Sequence, residues 1–268
     1  MVKLEKGSYD PIYRLYQSWQ YFYPLIAAVL LDEQDGVVYV DDADQPTQAY
    51  VEHAFGFAQI FGARVDKFEQ ELKQYLLHDQ PFTPAKVRLY TPHLPDYLMS
   101  PEYESLRSER QRFHITAEDF SRVRSADNAV SSDISFDSAD ASNIALIEKK
   151  FGVVNRFWRT PEDFIRKAHT VVVMYQGQMA SICYAAAEGD KRVEIDVMTL
   201  PDFRNLGLGK HAVMEFVERC LAQSLQPLWD CFTNNSGSMM LCKSTGFVAA
   251  HAPYPFFTIN KPSPEKSG

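Results

Sequence analysis

The chain has 268 residues, 46 % of them apolar with 14 Tyr and 18 Phe, enough to bury one large core or two smaller ones, so general disorder is excluded. Its 27 Lys and Arg stand against 35 Asp and Glu, a net charge of −8 that argues against a nucleic-acid partner, which needs a basic face. No apolar run approaches the ~18 residues of a membrane span, and the N-terminus lacks a basic start followed by an apolar core, so a cytoplasmic protein off the membrane is expected.

In chain order, residues 12–23 hold an aromatic-rich segment with Tyr13, Tyr16, Trp19 and Phe22. Leu25 to Leu31 and Val37 to Val40 read as two strands joined at Asp35-Gly36, a tight-hairpin signal. A helix is expected from about Pro46 to Phe61 with Gly62 stopping it, and another from about Val65 to Leu77. Val87 to Tyr90 reads as a short strand, and Leu94 to Arg107 as Pro-punctuated and partly helical. This first part is α+β and carries no recognisable chemistry. Phe113-His114-Ile115-Thr116 opens a second part as a strand. Arg122 to Asn143, rich in Ser, Asp and Ala, reads as a loop or a helical pair, and Ile144 to Lys167 as helical in pieces. Thr170 to Tyr175 and Met179 to Ala186 form a hairpin around Gln176-Gly177-Gln178 and lead to a strand at Val193. After Gly246-Phe247, Val248 to Ala250 and Tyr254 to Thr258 supply two closing strands. Val37 to Val40 with the following helix loosely echoes the strand and helix of the second part, but without its glycines, so it should not hold a pyrophosphate.

The most informative stretch runs from Val193 to Lys210: a strand, a turn with Arg204-x-x-Gly207-x-Gly209, then a helix apolar at Ala212, Val213, Phe216, Val217 and Cys220. The first turn of a helix leaves N–H donors unpaired, and with the positive end of the helix dipole these suit a phosphate. Glycine lets an anion approach the backbone, and Arg204 and Lys210 add positive charge at the rim. Together they read as a pyrophosphate cradle. It is not a Walker loop, because Lys210 is followed by His211 and the glycine spacing is too short. Nor is it a Rossmann turn, whose third glycine is missing.

Arg204-Asn205-Leu206-Gly207-Leu208-Gly209 resembles the acetyl-CoA loop of the GNAT family of N-acetyltransferases, whose signature is Arg/Gln-x-x-Gly-x-Gly/Ala after a strand. The strand Pro227-Leu228-Trp229-Asp230-Cys231-Phe232-Thr233, then Asn235-x-x-Ser238 leading a helix that ends in Gly246-Phe247, resembles the family's second landmark and a bacterial branch of it. The resemblance is strong from about His169 to Phe257. It implies a mixed α/β GNAT acyl-CoA N-acyltransferase fold over residues 111–268, preceded by a smaller α+β accessory domain over residues 1–110. The implied reaction is direct attack of an amine on the thioester of acetyl-CoA, used as co-substrate, with no acyl-enzyme.

The same resemblance implies the roles. Val197 and Thr199, with Met198 beside them, pair with the pantetheine arm; Arg204, Asn205, Leu206, Gly207, Leu208, Gly209 and Lys210 hold the pyrophosphate. Asn235 and Ser238 lie near the thioester, although Asn235 is equally suited to cap the next helix. Many family members carry, four residues before the Gly-Phe glycine, a Tyr that protonates the thiolate; here that position is Cys242, so Cys242, Tyr254 or a water is left to serve. Glu194 and Asp196, two apart and so on one face of the strand, are the candidate bases, with Asp230 a weaker one. Surface pairing with Lys191 or Arg192 is the structural alternative for both carboxylates.

No metal is expected: Cys183, Cys220, Cys231 and Cys242 have no Cys-x-x-Cys spacing and no paired His, and read as buried thiols. Two rival readings are an acyl-CoA-sensing or interaction module that has lost turnover, favoured by the Cys at the usual Tyr position, and transfer of a longer acyl group. The acceptor is a small-molecule or peptide amine, and the oligomeric state is open.

Overall fold

The computed structural model describes residues 1–126 and 131–262. The chain forms two compact units: Met1–Glu109 with the segment from Tyr254 onward, and Arg110–Pro253.

The first unit begins with β1 (Val2–Lys3), α1 (Asp10–Gln17) and α2 (Pro24–Leu30). A meander of β2 (Gly36–Val40), β3 (Gln48–His53) and β4 (Phe57–Gly62) follows, antiparallel throughout. Helix α3 (Asp66–Lys73), extended by a π-helical turn over Gln74–Asp79, crosses to β5 (Lys86–Tyr90), which runs parallel to β4. Two short 3-10 turns, Asp96–Met99 and Pro101–Leu106, complete the stretch that the prolines punctuate.

Two sequence expectations are overturned here. Leu25 to Leu31 is not a strand: Pro24 starts α2, and all seven residues of that helix are buried. A continuous apolar run has no period that separates a buried helix from a buried strand. Pro46 to Phe61 is not a helix but the β3–β4 hairpin, turning at Gly56 with φ +90°. Both strands are covered on both faces, so Gln48, Glu52, His53 and Gln59 lie inside and erase the alternation that marks a half-exposed strand. Gly62 ends β4, where its φ of +96° and the Thr47 carbonyl leave no room for a side chain.

The second unit takes in β6 (Arg107–His114) from Arg110 onward, then α4 (Ala117–Ala126) and β7 (Ile134–Asp137). Strand β7, paired with β8, lies in the stretch read as loop or helix; residues 127–130 of that stretch lie outside the described residues. Helices α5 (Ile144–Phe151), α6 (Val154–Phe157) and α7 (Pro161–Lys167) follow. Gly152 ends α5 in the left-handed region, and Thr160 caps α7 by accepting the Asp163 N–H. The meander β8 (Val171–Tyr175), β9 (Gln178–Gly189), β10 (Arg192–Thr199) is antiparallel. Helix α8 (Leu208–Ala222) crosses to β11 (Gln226–Phe232), parallel to β10 and antiparallel to β6. Helix α9 (Ser236–Ser244) and β12 (Val248–Ala249), paired with β6, close this unit. The apolar stripe of α8 packs with Val193, Ile195 and Val197 of β10 into one core, so Glu194 and Asp196 face the other side of the sheet.

The last strand, β13 (Tyr254–Asn260), pairs antiparallel with β5 and belongs to the first unit, where the sequence suggested it would close the second. Both units therefore repeat one plan: a three-strand antiparallel meander, a crossover helix and a parallel strand. Among the described residues no helix is long and apolar enough to cross a membrane.

Candidate active site

Strands β10 and β11 are parallel neighbours only from Arg192 to Glu194 opposite Gln226 to Leu228. Beyond that point β10 stays paired with β9 through Thr199, but its other edge parts from β11. The parting opens a cleft of ≈ 380 Å³ whose walls include Asp196, Val197 and Thr199 from β10 and Trp229 to Phe232 from β11. Asn235, Gly237, Ser238 and Leu241 from the start of α9 close one side, and Arg110 from β6 another.

The glycine turn lies where β10 ends. A 3-10 turn over Pro201–Phe203 leads to Asn205 and Gly207, both at positive φ (63° and 76°). Gly207 caps α8, and the first intrahelical bonds run from the Lys210 and His211 N–H to its carbonyl at 3.0 and 3.3 Å. The amides of Leu208 and Gly209 precede them and lie in the orphan first turn. A Cβ on Gly207 would meet no protein atom within 4 Å, so the space over that amide is open to an anion. Gly209 has a different reason for being glycine: its Cβ would sit 3.1 Å from Thr199 Oγ1 and 3.6 Å from Leu241. There the strand and helix approach closely, and no ligand is needed to explain the residue. Leu208 buries its side chain in the core, while Arg204 and Leu206 are exposed and no acidic residue stands in the first turn of α8. Ser181 Oγ fixes the end of β10, bonding the Met198 carbonyl at 3.0 Å and Thr199 Oγ1 at 2.9 Å.

The two candidate bases part company. Glu194 is 5 % exposed, takes Arg112 Nη1 on both carboxylate oxygens at 2.8 Å, and does not line the cleft. Burial pushes its pKa above the ordinary carboxylate value while the Arg112 guanidinium pulls it back. Asp196 lines the cleft, and its Oδ2 accepts the Tyr184 hydroxyl at 2.5 Å and Arg156 Nη1 at 3.0 Å. Asp230 also lines it, paired with Arg110, which stacks over the Phe232 ring at 4.5 Å and donates to the Asp230 carbonyl at 2.7 Å. Arg110, Arg112, Arg156 and Tyr184 went unnoticed in the sequence. The available signal was Arg110 and Arg112 at alternate positions of one strand, a charged pair on a single face of β6.

Asn235 caps α9, its Oδ1 accepting the Ser238 N–H at 3.1 Å. Cys242, at the family's Tyr position, is fully buried away from the cleft lining, and burial pushes its thiol well up. Tyr254 belongs to the first unit and packs there against Tyr23 with ring centroids 6.1 Å apart. The cysteine that does reach the cleft is Cys231.

The family model for GNAT acetyltransferase matches residues 14–257. An uncharacterized N-acetyltransferase of Bacillus subtilis (strain 168), YdfB, is 30 % identical over 91 residues, 34 % of this chain; the match spans about a third (35 %) of that relative. Among solved structures, a GCN5-related N-acetyltransferase-like protein from Streptococcus suis 89/1591 superposes with a TM-score of 0.65 at 17 % identity, over 95 % of this chain and 98 % of that one. A tandem GNAT protein from the clavulanic acid biosynthesis pathway gives a TM-score of 0.62 at 10 % identity, over 98 % and 99 %. At these identities the structures establish a shared fold, in the second case with a protein built of two such modules. With a family model spanning both units, the chain belongs to the GNAT acetyltransferase family.

Proposed function

We propose that the second unit is an acetyl-CoA-dependent N-acetyltransferase acting on an amine by direct attack. The observation that carries this reading is the parting of β10 from β11 beside a helix start free of acidic residues. Acetyl-CoA supplies the activated acetyl group. Beyond its pairing with β11, the edge of β10 at Val197 and Thr199 offers backbone groups to an amide-bearing arm, as an added strand would, with Arg204 Nε 3.5 Å from the Thr199 carbonyl. The amides of Gly207, Leu208 and Gly209 receive phosphate oxygens with the helix dipole behind them, and Arg204 and Lys210 add charge at the rim. Asp196 holds the acceptor amine and takes its proton, because of the two β10 carboxylates it is the one that reaches the cleft, where Tyr184 and Arg156 hold it, while Asp230 is engaged by Arg110.

Calorimetric titration of the full-length protein with acetyl-CoA, CoA and ATP tests the reading. The CoA compounds should bind and ATP should not. Gly207→Glu, or Arg204→Glu with Lys210→Glu, should weaken CoA binding by about 100-fold while the fold is kept, as expected when two or three charge-assisted phosphate contacts are reversed. Unchanged affinity in those variants would overturn the cradle.

A further inference from the structure

The position at which the family's proton donor would stand holds Cys242, out of reach of the cleft, so the departing thiolate must be met by another group. On the α9 side of the cleft three side chains converge. Trp229 Nε1–H donates to Ser238 Oγ at 3.0 Å, and the ring is locked edge-on against Phe247 with centroids 5.5 Å apart. Phe247 of the Gly246-Phe247 pair thus packs against the indole. The Ser238 N–H is fixed by the Asn235 cap at 3.1 Å. Cys231 Sγ donates to Met239 Sδ at 3.4 Å, and burial raises the pKa of its thiol, with hydrogen bonding from Ser238 and the indole opposing that rise only in part. With the indole proton occupying one lone pair of Oγ, the hydroxyl proton of Ser238 points away from Trp229. Ser238, Trp229 and Cys231 all line the cleft that also holds Asp196.

We infer that Ser238, oriented by Trp229, donates a hydrogen bond to the sulfur of the departing CoA and stabilises it as an anion. The inference rests on the acyl-CoA reading proposed above. An alcohol is a far weaker acid than a thiol, so Ser238 keeps its proton. As the amine nitrogen bonds to the carbonyl carbon, the carbon–sulfur bond breaks and its electron pair stays on sulfur. The amine proton passes to the Asp196 carboxylate, and the thiolate takes a proton from water after release. No protein group has to act as the general acid, which accounts for a buried cysteine at position 242. Ser238 is the catalytic residue in this step, and Trp229 is a positioning residue that acts through it.

The test is a titration of the thiol of CoA bound to the full-length protein, followed by the ultraviolet absorbance of the thiolate with the desulfo-CoA complex as blank. In the wild type the bound thiol should titrate about one to two pH units below free CoA, the shift expected of hydrogen bonds to a charged group. Ser238→Ala should return it to the free value, Trp229→Phe should return it part of the way, and Ser238→Thr should keep the shift. A bound thiol that titrates like free CoA, or a shift that survives Ser238→Ala, would overturn the inference while leaving the acyl-CoA reading intact. Failure of the wild type to bind CoA would overturn both.

Discussion

Each unit sends a helix across from the third strand of its meander to a parallel strand, yet the two helices start in opposite ways. Helix α8 begins at Gly207 with Arg204 and Lys210 nearby and no acid in its first turn. Helix α3 begins with Asp66 and Glu69; Arg64 lies 3.1 Å from Asp66 and 3.7 Å from Glu69 and pairs with Asp96 as well. The Val65 N–H that precedes α3 donates to Gln48 Oε1 at 2.8 Å, and Gln48 Nε2 donates to Glu69 Oε1 at 2.9 Å. A phosphate there would meet carboxylates and an amide already in use.

The strands differ as well. Both parallel pairs last three residues, Phe57–Gln59 with Arg88–Tyr90 and Arg192–Glu194 with Gln226–Leu228. Where β10 parts from β11 there is a cleft. Where β4 leaves β5, Gln59 is fully buried and bonded to the Tyr16 hydroxyl at 2.6 Å and the Tyr21 carbonyl at 2.9 Å. Tyr90 is stacked between Tyr23 at 3.9 Å and Phe57 at 5.3 Å. One topology thus leaves an open cleft in one unit and an aromatic core in the other, because what fills the parting is set by the side chains and not by the strand order.

That contrast can be broken by activity measurements. Asp196→Asn should lower acetyl transfer by about 10³-fold, the range for loss of a positioned base, whereas Glu52→Gln, which alters a buried carboxylate of the first unit, should leave it within about twofold. Thiol release on an identified acceptor reads both, and equal losses would mean that the two units share the chemistry. Within the second unit the contrast sharpens to two carboxylates of one strand. Glu194→Ala leaves the Arg112 guanidinium buried without its bidentate partner and should cost about 3–5 kcal/mol in urea unfolding, with CoA affinity retained. Wild-type stability in that variant would mean the pair is not structural.

The smallest effect lies in the first unit. His53 is buried, bonded to Gln34 at 3.0 Å and accepting the Phe55 N–H at 2.9 Å, and burial lowers its pKa from 6.5 to about 4. Between those values the unfolded chain binds the extra proton, so stability rises with pH through this window and is lost as pH falls through it, by about 3 kcal/mol in all. Unfolding measured at pH 7 and near pH 4 should show the loss, and His53→Gln should remove most of the difference; a difference that persists would assign acid sensitivity elsewhere.

The helix and strand periods of the second unit were legible because its elements are one-sided: α8 shows an apolar stripe, and Gln176-Gly177-Gln178 and Gly246 punctuate where the chain turns. The hairpin at 48–62 was not, because burying polar Gln48, Glu52, His53 and Gln59 on partners distant in sequence removed the pattern that local reading depends on. Strand β7 was missed for the opposite reason: four residues among Ser and Asp carry too little apolar signal until β8 pairs with them.

The amino-acid sequence alone determined the glycine turn, its charge and the Asn-x-x-Ser start of α9, since these depend on backbone freedom and orphan amides within a few residues of one another. Only the tertiary structure decided which β10 carboxylate reaches the cleft, that Cys242 does not, and that Trp229 holds Ser238. Those outcomes turn on Arg112, Arg156, Tyr184 and Phe247, which lie between 12 and 82 residues away from the groups they hold and meet them only once the strands are in register. A short motif fixes local geometry, whereas the ionic and hydrogen-bonding partner of a side chain is chosen by packing.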